Sequence, residues 1–599
     1  MRFPTLQEVS RYREMTTVFG GYNHQISCVE GQFYDMKNMT SRYYPTLSPR
    51  KSRGIVKKFV NPQGILDKED MWWIDDKVLY KNGEPIELEG VAFSDEPKAM
   101  AKMGAYIIVM PDKVWINTSE KDGKIECGYM ENLVLIEKGK EIKFSICEAN
   151  GKSIEWHDAE YYKNPENLKE GSYMLSINSN GKPSLKVYSA STSIWMTVAS
   201  TYTQITSTGI GKGFAKEDGV KITTDYIEDS LDNIFVNDEG DGKHSINTFI
   251  VDRTDDSITI PGIYNGKLEA FTEMTLNVER KVPDMEFITE CNNRIWGCSK
   301  DGHEIYCCKL GDVKNWNCFI GVSTDSWAAT IGSDGKFTGA ITYREYPIFF
   351  KEDCLIKIGV SGTGGHQTKE TRCRGVQSGS SGSLAIINET LYYKSSTCVC
   401  GYNGSLPFSV SDELGDTNYY DAVAGAIGDD YYISMRDGNG EYSFFDFDTK
   451  NGIWCKEDDT KALVFCKHKD NLYYIDSKDN TMKSVNGSVR YGTDGETTEE
   501  AFGWFVESGP LGYSSPDNKY VGRINLRITL DFGTEVDFFL QYDSCGEWEH
   551  KFNMSGTGTR TFTVPIIPKR CDHFRYKITG KGSCKIHSVT KTIEEGSDG

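Results

Sequence analysis

The sequence predicts an all-β chain, a β-propeller of about seven blades that carries an inserted β domain and is followed by a C-terminal β-sandwich. Three observations carry this. Short apolar strands recur in pairs about a two-residue polar turn along much of the chain. There are 59 glycines against 17 prolines, a balance that suits tight turns more than broken segments. Aromatic residues make up 12 % of the chain, and their bulk fits pleated, half-buried surfaces.

The first paired unit is residues 71–80, turning at Asp76-Lys77, and the second is 102–116, turning at Pro111-Asp112-Lys113. The pattern returns at 287–298 with Asn292-Asn293 at its turn, then at 337–358 about Lys351-Glu352-Asp353. It continues at 384–393 (Asn388-Glu389), 423–435 (Asp429-Asp430) and 463–475 (Lys469-Asp470). Second hairpins with glycine turns follow several of these, so each unit reads as four strands. Blades are therefore expected over 61–116 and 287–497. Residues 117–286 break the repeat but contain strands near 142–146, 173–177, 185–188, 220–223 and 258–260, which predicts an inserted β domain. From 498 to 599 the strands lengthen and alternate strictly, as at 523–530, 536–542, 561–565 and 573–578, predicting a jelly-roll-like sandwich with one face of each strand buried.

Composition excludes several functions. A net charge of -20 opposes a surface built to neutralise phosphates, although DNA can slide past an acidic wall without sticking. No apolar run approaches the length of a membrane span, and the first residues lack a basic start followed by an apolar core, so no membrane segment and no export are expected. Seventeen scattered cysteines form no small-domain disulfide framework, which favours assembly in a reducing cytoplasm.

Motifs for chemistry are sparse. The nine histidines show no helical-turn pair for zinc. Cys307-Cys308 and Cys398-Val399-Cys400 lack the spacing of a structural zinc site and read as strand cysteines. Gly209 to Gly213 has glycines and Lys212 without the hydroxyl of a phosphate loop. Asp238 to His244 alternates acids but lacks the closing glutamate of a calcium loop. A glycosidase needs two facing carboxylates, and among 87 acids a pair such as Asp325 and Asp430 has no special claim. Trp72-Trp73 and Tyr419-Tyr420 read as strand core rather than sugar platforms. No catalytic residue, cofactor or metal ligand is expected.

Certain segments resemble a known family. Phe19-Gly20-Gly21-Tyr22-Asn23, then Gly31-Gln32-Phe33-Tyr34-Asp35-Met36-Lys37-Asn38-Met39, then Tyr44-Pro45-Thr46-Leu47 with Arg50 and Arg53, resemble the start of phage and prophage structural proteins of Gram-positive gut bacteria. Cys373-Arg374-Gly375-Val376 and Leu391-Tyr392-Tyr393 resemble the propeller of phage tail nozzle and hub proteins. The stretch from Trp504 through Trp548 to Arg575 is similar to their C-terminal sandwich. The resemblance implies that residues 1–60 are an extended arm leading to the first blade. It also implies a non-enzymatic virion protein of the tail or neck, assembled in the host bacterial cytoplasm and present as a homo-oligomeric ring around the tail axis. Its partners would be other tail or neck proteins, with transient contact with passing DNA during genome ejection. Arg42, Arg50, Lys51 and Arg53 make the arm locally basic in an acidic chain and are the expected assembly contacts. The alternatives are a tail-tip protein that recognises a host cell-surface glycan, and a glycan-degrading tail enzyme.

Overall fold

The computed structural model describes residues 11–121, 124–178, 181–225, 231–265, 270–361, 365–485, 487, 497–499, 501–513 and 518–595. The chain is all-β, with four short 3-10 turns among the described residues. Seven antiparallel meander sheets begin with the strands Pro62–Lys68, Ala99–Met103, Met285–Glu290, Gly339–Tyr343, Ala385–Ile387, Tyr419–Ile427 and Ala462–His468. These first strands adjoin one another in chain order, the fourth and fifth through the turn Ser381–Ser383, and the last adjoins the first. The sheets therefore close into a propeller whose first strands face the axis. Turn chemistry explains much of the local structure. Asp76-Lys77, Asn292-Asn293, Arg344-Glu345 and Asn388-Glu389 all take positive φ at both positions, as the two-residue hairpin turns matching strand twist require.

The seventh sheet is not completed locally. Strand Gly54–Lys58 pairs antiparallel with Thr481–Ser484, so a segment from before the first blade closes the ring. The expected extended arm over 1–60 is thus built into sheets over much of its length, and residues 1–10 lie outside the described ones. Arg11–Thr16 pairs with Cys584–Glu595, and Gln32–Lys37 pairs with Gly503–Ser508.

Those pairings change the reading of the sandwich. Among the described residues its eight main strands in chain order are Arg11–Thr16, Gly503–Ser508, Lys519–Leu530, Glu535–Tyr542, Glu549–Ser555, Gly558–Val564, Phe574–Lys581 and Cys584–Glu595, with the short Arg570–Cys571 pairing beside the third. The two sheets run 1-8-3-6 and 2-7-4-5, the jelly-roll order, with Gln32–Lys37 added beside strand 2. The sandwich does not simply follow the propeller, because the propeller is inserted between its first and second strands. Alternation fills its core: Val521, Ile524, Leu526 and Ile528 are fully buried along one strand against Val536, Phe538 and Ile578.

The same apolar cluster runs into the sixth blade, joining Tyr22 and Phe33 to Leu414, Tyr419, Phe445 and Trp454. Gly21 sits at this seam with φ +71°, where an added Cβ would lie 2.3 Å from the Trp454 carbonyl oxygen. Only a residue without a side chain fits both demands.

The insertion is narrower than 117–286. Val114–Lys121 and Lys124–Tyr129 are the outer strands of the second blade. The inserted domain starts at Asn132–Ile136 and returns through Leu276–Arg280, which pair at its root. Two five-stranded sheets enclose a core containing Ile142, Phe144, Ile222, Ile258 and Tyr264, and a smaller sheet formed by Trp156–His157, Tyr173–Ile177, Pro183–Ser189 and Ile194–Thr197 lies alongside. Arg280 forms a buried ion pair with Asp218 near the root.

Candidate functional site

The four basic residues expected to grip a neighbour separate into two classes. Arg42 and Lys51 are exposed. Arg50 and Arg53 are buried, at 6 % and 3 % exposure, and cannot act as a surface grip. Arg50 makes a two-pronged contact with Glu499, both Nη–Oε distances being 2.7 Å, and its Nε donates to Asn38 Oδ1 at 2.7 Å. Arg53 donates to Glu457 Oε2 and Asp458 Oδ2, each at 2.7 Å, and to Thr460 Oγ1 at 3.0 Å. Burial alone would raise Asp458, but the facing Arg53 and Arg50 guanidiniums hold its carboxyl below the usual range. Arg53 immediately precedes the closing strand, and Glu457 and Asp458 are the final two residues of the last strand of the sixth blade, so this network staples the ring where it shuts. The neutralising acids lie about four hundred residues downstream, where local charge counting does not reach.

A cavity of about 280 Å³ lies against the first strands of blades five to seven, lined by Ile386, Ala424, Ile427, Phe465 and other apolar or glycine positions, with Lys467 its one charged group. Of the carboxylates on the first strands, Glu286 is exposed and the other three are engaged nearby. Asp67 meets His468 Nδ1 at 2.6 Å, Asp421 meets Arg436 Nε at 2.7 Å, and Glu290 Oε1 accepts from the Asn293 amide at 2.9 Å. Asp325 and Asp430 lie in different blades. Asp430 faces Asp448 across a strand pair, and burial together with that carboxylate pushes it up to about 6.

The other sequence candidates are occupied structurally. Trp72 and Trp73 are 1 % exposed, within strand core. Cys307 and Cys308 are fully buried. Gly211 lies in a turn where a Cβ would fall 1.9 Å from the Thr254 carbonyl oxygen, so its glycine serves a close backbone approach. In the Asp238 to His244 hairpin, Asp238 caps the Gly240 amide at 2.9 Å and Glu239 pairs with Lys221 at 2.9 Å. Among the described residues, no group of three His, Cys, Asp or Glu side chains is placed to hold a metal.

An open cavity in the inserted domain has a different character. Its volume is about 740 Å³, and its wall includes Trp156, His157 and Tyr161 over an apolar floor of Ile154 and Leu175, with Glu155, Asp158 and Asn265 at hand. The His157 ring stacks on Tyr161 at 3.7 Å between centroids. Behind them Tyr162 meets Trp195 edge-on at 5.1 Å, and its hydroxyl donates to the Tyr173 carbonyl at 2.9 Å, which fixes the turn carrying Tyr161. Aromatic faces beside fixed polar groups form the usual lining of a small-ligand site. Its signal in the sequence is the concentration of rings at Trp156-His157, Tyr161-Tyr162 and Trp195, whose convergence depends on the fold.

No protein-family model matches the chain, and no curated protein matches it. Solved structures similar over part or all of it include an exo-β-1,3-galactanase from Phanerochaete chrysosporium, at 9 % identity over 50 % of this chain and 92 % of that one, with a TM-score of 0.20. Kluyveromyces lactis Hsv2 aligns at 13 % identity over 48 % of this chain and 90 % of its own, with a TM-score of 0.25. Trypanosoma rangeli sialidase aligns at 10 % identity over 97 % and 96 %, with a TM-score of 0.15. These scores carry no argument about activity, and the architecture rests on the strand pairing of the chain itself.

Proposed function

We propose that the chain is a non-enzymatic structural protein of a bacteriophage tail or neck, of the nozzle, hub or connector kind. In this reading it docks copies of itself and neighbouring virion proteins around the axis and lines or seals the path of the DNA. The observation that supports it best is the double closure: the propeller is shut by a strand from before the first blade, and the jelly roll pairs its first strand with its last. Such a body resists peeling from either end, which suits a part under load. The apolar cavity at the inner strands also offers no pair of carboxylates for hydrolysis. Exposed Arg42 and Lys51 remain as contacts for an acidic neighbour. Cryo-electron microscopy of the particle carrying this chain tests the reading: a ring of copies at the neck or around the tail channel is expected, and absence from purified particles overturns it.

A second reading is favoured by the aromatic cavity of the inserted domain. There the chain is a tail-tip protein that holds a host cell-surface glycan, Trp156 and Tyr161 stacking on a sugar ring while Glu155, Asp158 and Asn265 bond its hydroxyls. Binding of purified host cell-wall polysaccharide by the full chain tests it. Loss of viscosity of that polysaccharide on incubation would instead identify a glycan-degrading enzyme.

A further inference from the structure

The fifth blade brings two sulfurs together in an arrangement that neither structural reading uses. Strands Thr390–Lys394 and Val399–Tyr402 are joined by a tight turn in which the Ser395 amide and hydroxyl both donate to the Cys398 carbonyl at 2.8 Å. That turn delivers Cys398 to the start of the second strand, and Cys400, two residues on, projects to the same side. Their Sγ atoms lie 3.5 Å apart. Around the Cys398 sulfur stand Arg374 Nη1 at 3.2 Å, Ser395 Oγ at 3.5 Å and Thr397 Oγ1 at 3.7 Å. Cys400 is fully buried, whereas Cys398 is half-buried and lines an open cavity of about 550 Å³.

This asymmetry distinguishes the pair from the other thiols. Cys307 and Cys308 are adjacent and near Arg294, but both are sealed in the core. At Cys398 the hydrogen bond from Cys400 draws the thiol well below its usual range against the opposing effect of burial, with Ser395, Thr397 and Arg374 acting in the same direction as Cys400. Cys400 is driven the opposite way, first by that same contact and then by burial. Lys394, whose Nζ donates to the Ser395 carbonyl at 2.5 Å, lies beside the two sulfurs; burial pulls its ammonium down to about 8, and the sulfurs oppose that pull. A thiolate held by cations and donors, open to a cavity and backed by a protonated partner, is the arrangement of an attacking and a resolving cysteine.

We propose that Cys398 and Cys400 form a redox-active dithiol, with Cys398 the attacking sulfur and a small-molecule disulfide its oxidant. The Cys398 thiolate attacks one sulfur of the external disulfide, forming a mixed disulfide and expelling one thiolate. Cys400 then attacks the Cys398 sulfur, closing the Cys398–Cys400 bond. Its proton passes to the second departing sulfur, which leaves as a thiol. Two electrons pass from the cysteine pair to one external disulfide. Closure contracts the sulfur separation from 3.5 Å to about 2.05 Å across a single intervening residue, and such a constrained bond is readily reduced again.

The test uses the reduced full-length chain. Its alkylation by iodoacetamide is followed by peptide mass spectrometry from pH 5 to 9 beside N-acetylcysteine, whose rate rises about tenfold per pH unit below its own pKa. Cys398 is expected to react at a rate nearly flat from about pH 6 to pH 8. Arg374→Gln is expected to restore part of the slope without loss of the folded circular dichroism spectrum. Oxidised glutathione is expected to give the internal disulfide in the wild type and a stable glutathione adduct on Cys398 in Cys400→Ser. Cys398 alkylation that parallels N-acetylcysteine removes the nucleophile. Flat alkylation with the same adduct, and no internal disulfide, in both proteins removes the dithiol.

Discussion

Replacing Arg53 by Met tests the ring staple most directly, because it keeps side-chain volume while removing a buried charge. Arg53 is 3 % exposed, and Glu457 beneath it has a side chain 2 % exposed. Without the guanidinium, Glu457 keeps Arg50 Nε at 3.9 Å, and Asp458 keeps Arg50 Nη2 at 3.8 Å, both too long for good hydrogen bonds. Breaking one partner out of a buried pair costs about 3–5 kcal/mol. For a cooperative unit of 150–250 residues that is a fall in Tm of roughly 6–20 °C. Adding Glu457→Gln should recover part of the loss, since the orphaned charge is then gone. The pH dependence gives an independent sign. Arg53 helps hold the Asp458 carboxyl below its ordinary value of 3.8, so that contribution is present above this value and disappears as pH falls through the folded-state pKa. Wild type and Arg53→Met should therefore differ most at neutral pH and converge in acid. Differential scanning calorimetry from pH 3 to 8 measures both effects. A loss below about 1 kcal/mol, or a double variant equal to the sum of the singles, refutes the staple.

Three further outcomes follow from the described geometry. Gly21→Ala forces a left-handed backbone on a residue with a Cβ and drives that atom toward the Trp454 carbonyl; a loss of about 1–3 kcal/mol and faster amide exchange along the sandwich–blade seam are expected, and unchanged exchange would count against the seam. Asp430→Asn removes a carboxyl that burial and Asp448 raise to about 6, a group whose folded form loses stability as pH rises through that value, so the variant should be the more stable protein at pH 7.5 by thermal melts and lose that advantage near pH 4. Tyr161→Ala should weaken any binding of cell-wall polysaccharide by the full chain at least tenfold in microcalorimetry without moving Tm by more than a few degrees, since the Tyr161 ring is exposed, whereas Trp156 also packs on the core of the inserted domain.

The propeller was legible because each blade is local: a hairpin whose turn residues, such as Asn292-Asn293 and Asn388-Glu389, announce positive φ within a few positions of the strands they join. What escaped was pairing over distance. Arg11–Thr16 carries no mark that its partner is Cys584–Glu595, and Gly54–Lys58 none that it belongs with Thr481–Ser484. The second blade extends past 116, and the register shift between Asn117 and Lys121 interrupts the alternation on which strand reading depends. Arg50 and Arg53 looked like surface charge for the same reason: Glu457, Asp458 and Glu499 are adjacent only after folding. The Cys398–Cys400 pair was visible as spacing, but its surroundings come from Arg374 on a neighbouring connection and from the shape of a turn.

The threading of one domain through another also sets a schedule for synthesis. The jelly roll's first strand leaves the ribosome with the segment that will later seal the propeller, and each must wait for a mate made more than four hundred residues later. At about 5–20 residues per second that interval is roughly half a minute to two minutes, while blades one to six accumulate as an open arc. The propeller can therefore shut once Thr481–Ser484 has emerged, about a hundred residues before the jelly roll receives Cys584–Glu595, so a stall before the first leaves two bare edges for quality control to recognise and a stall between them leaves one.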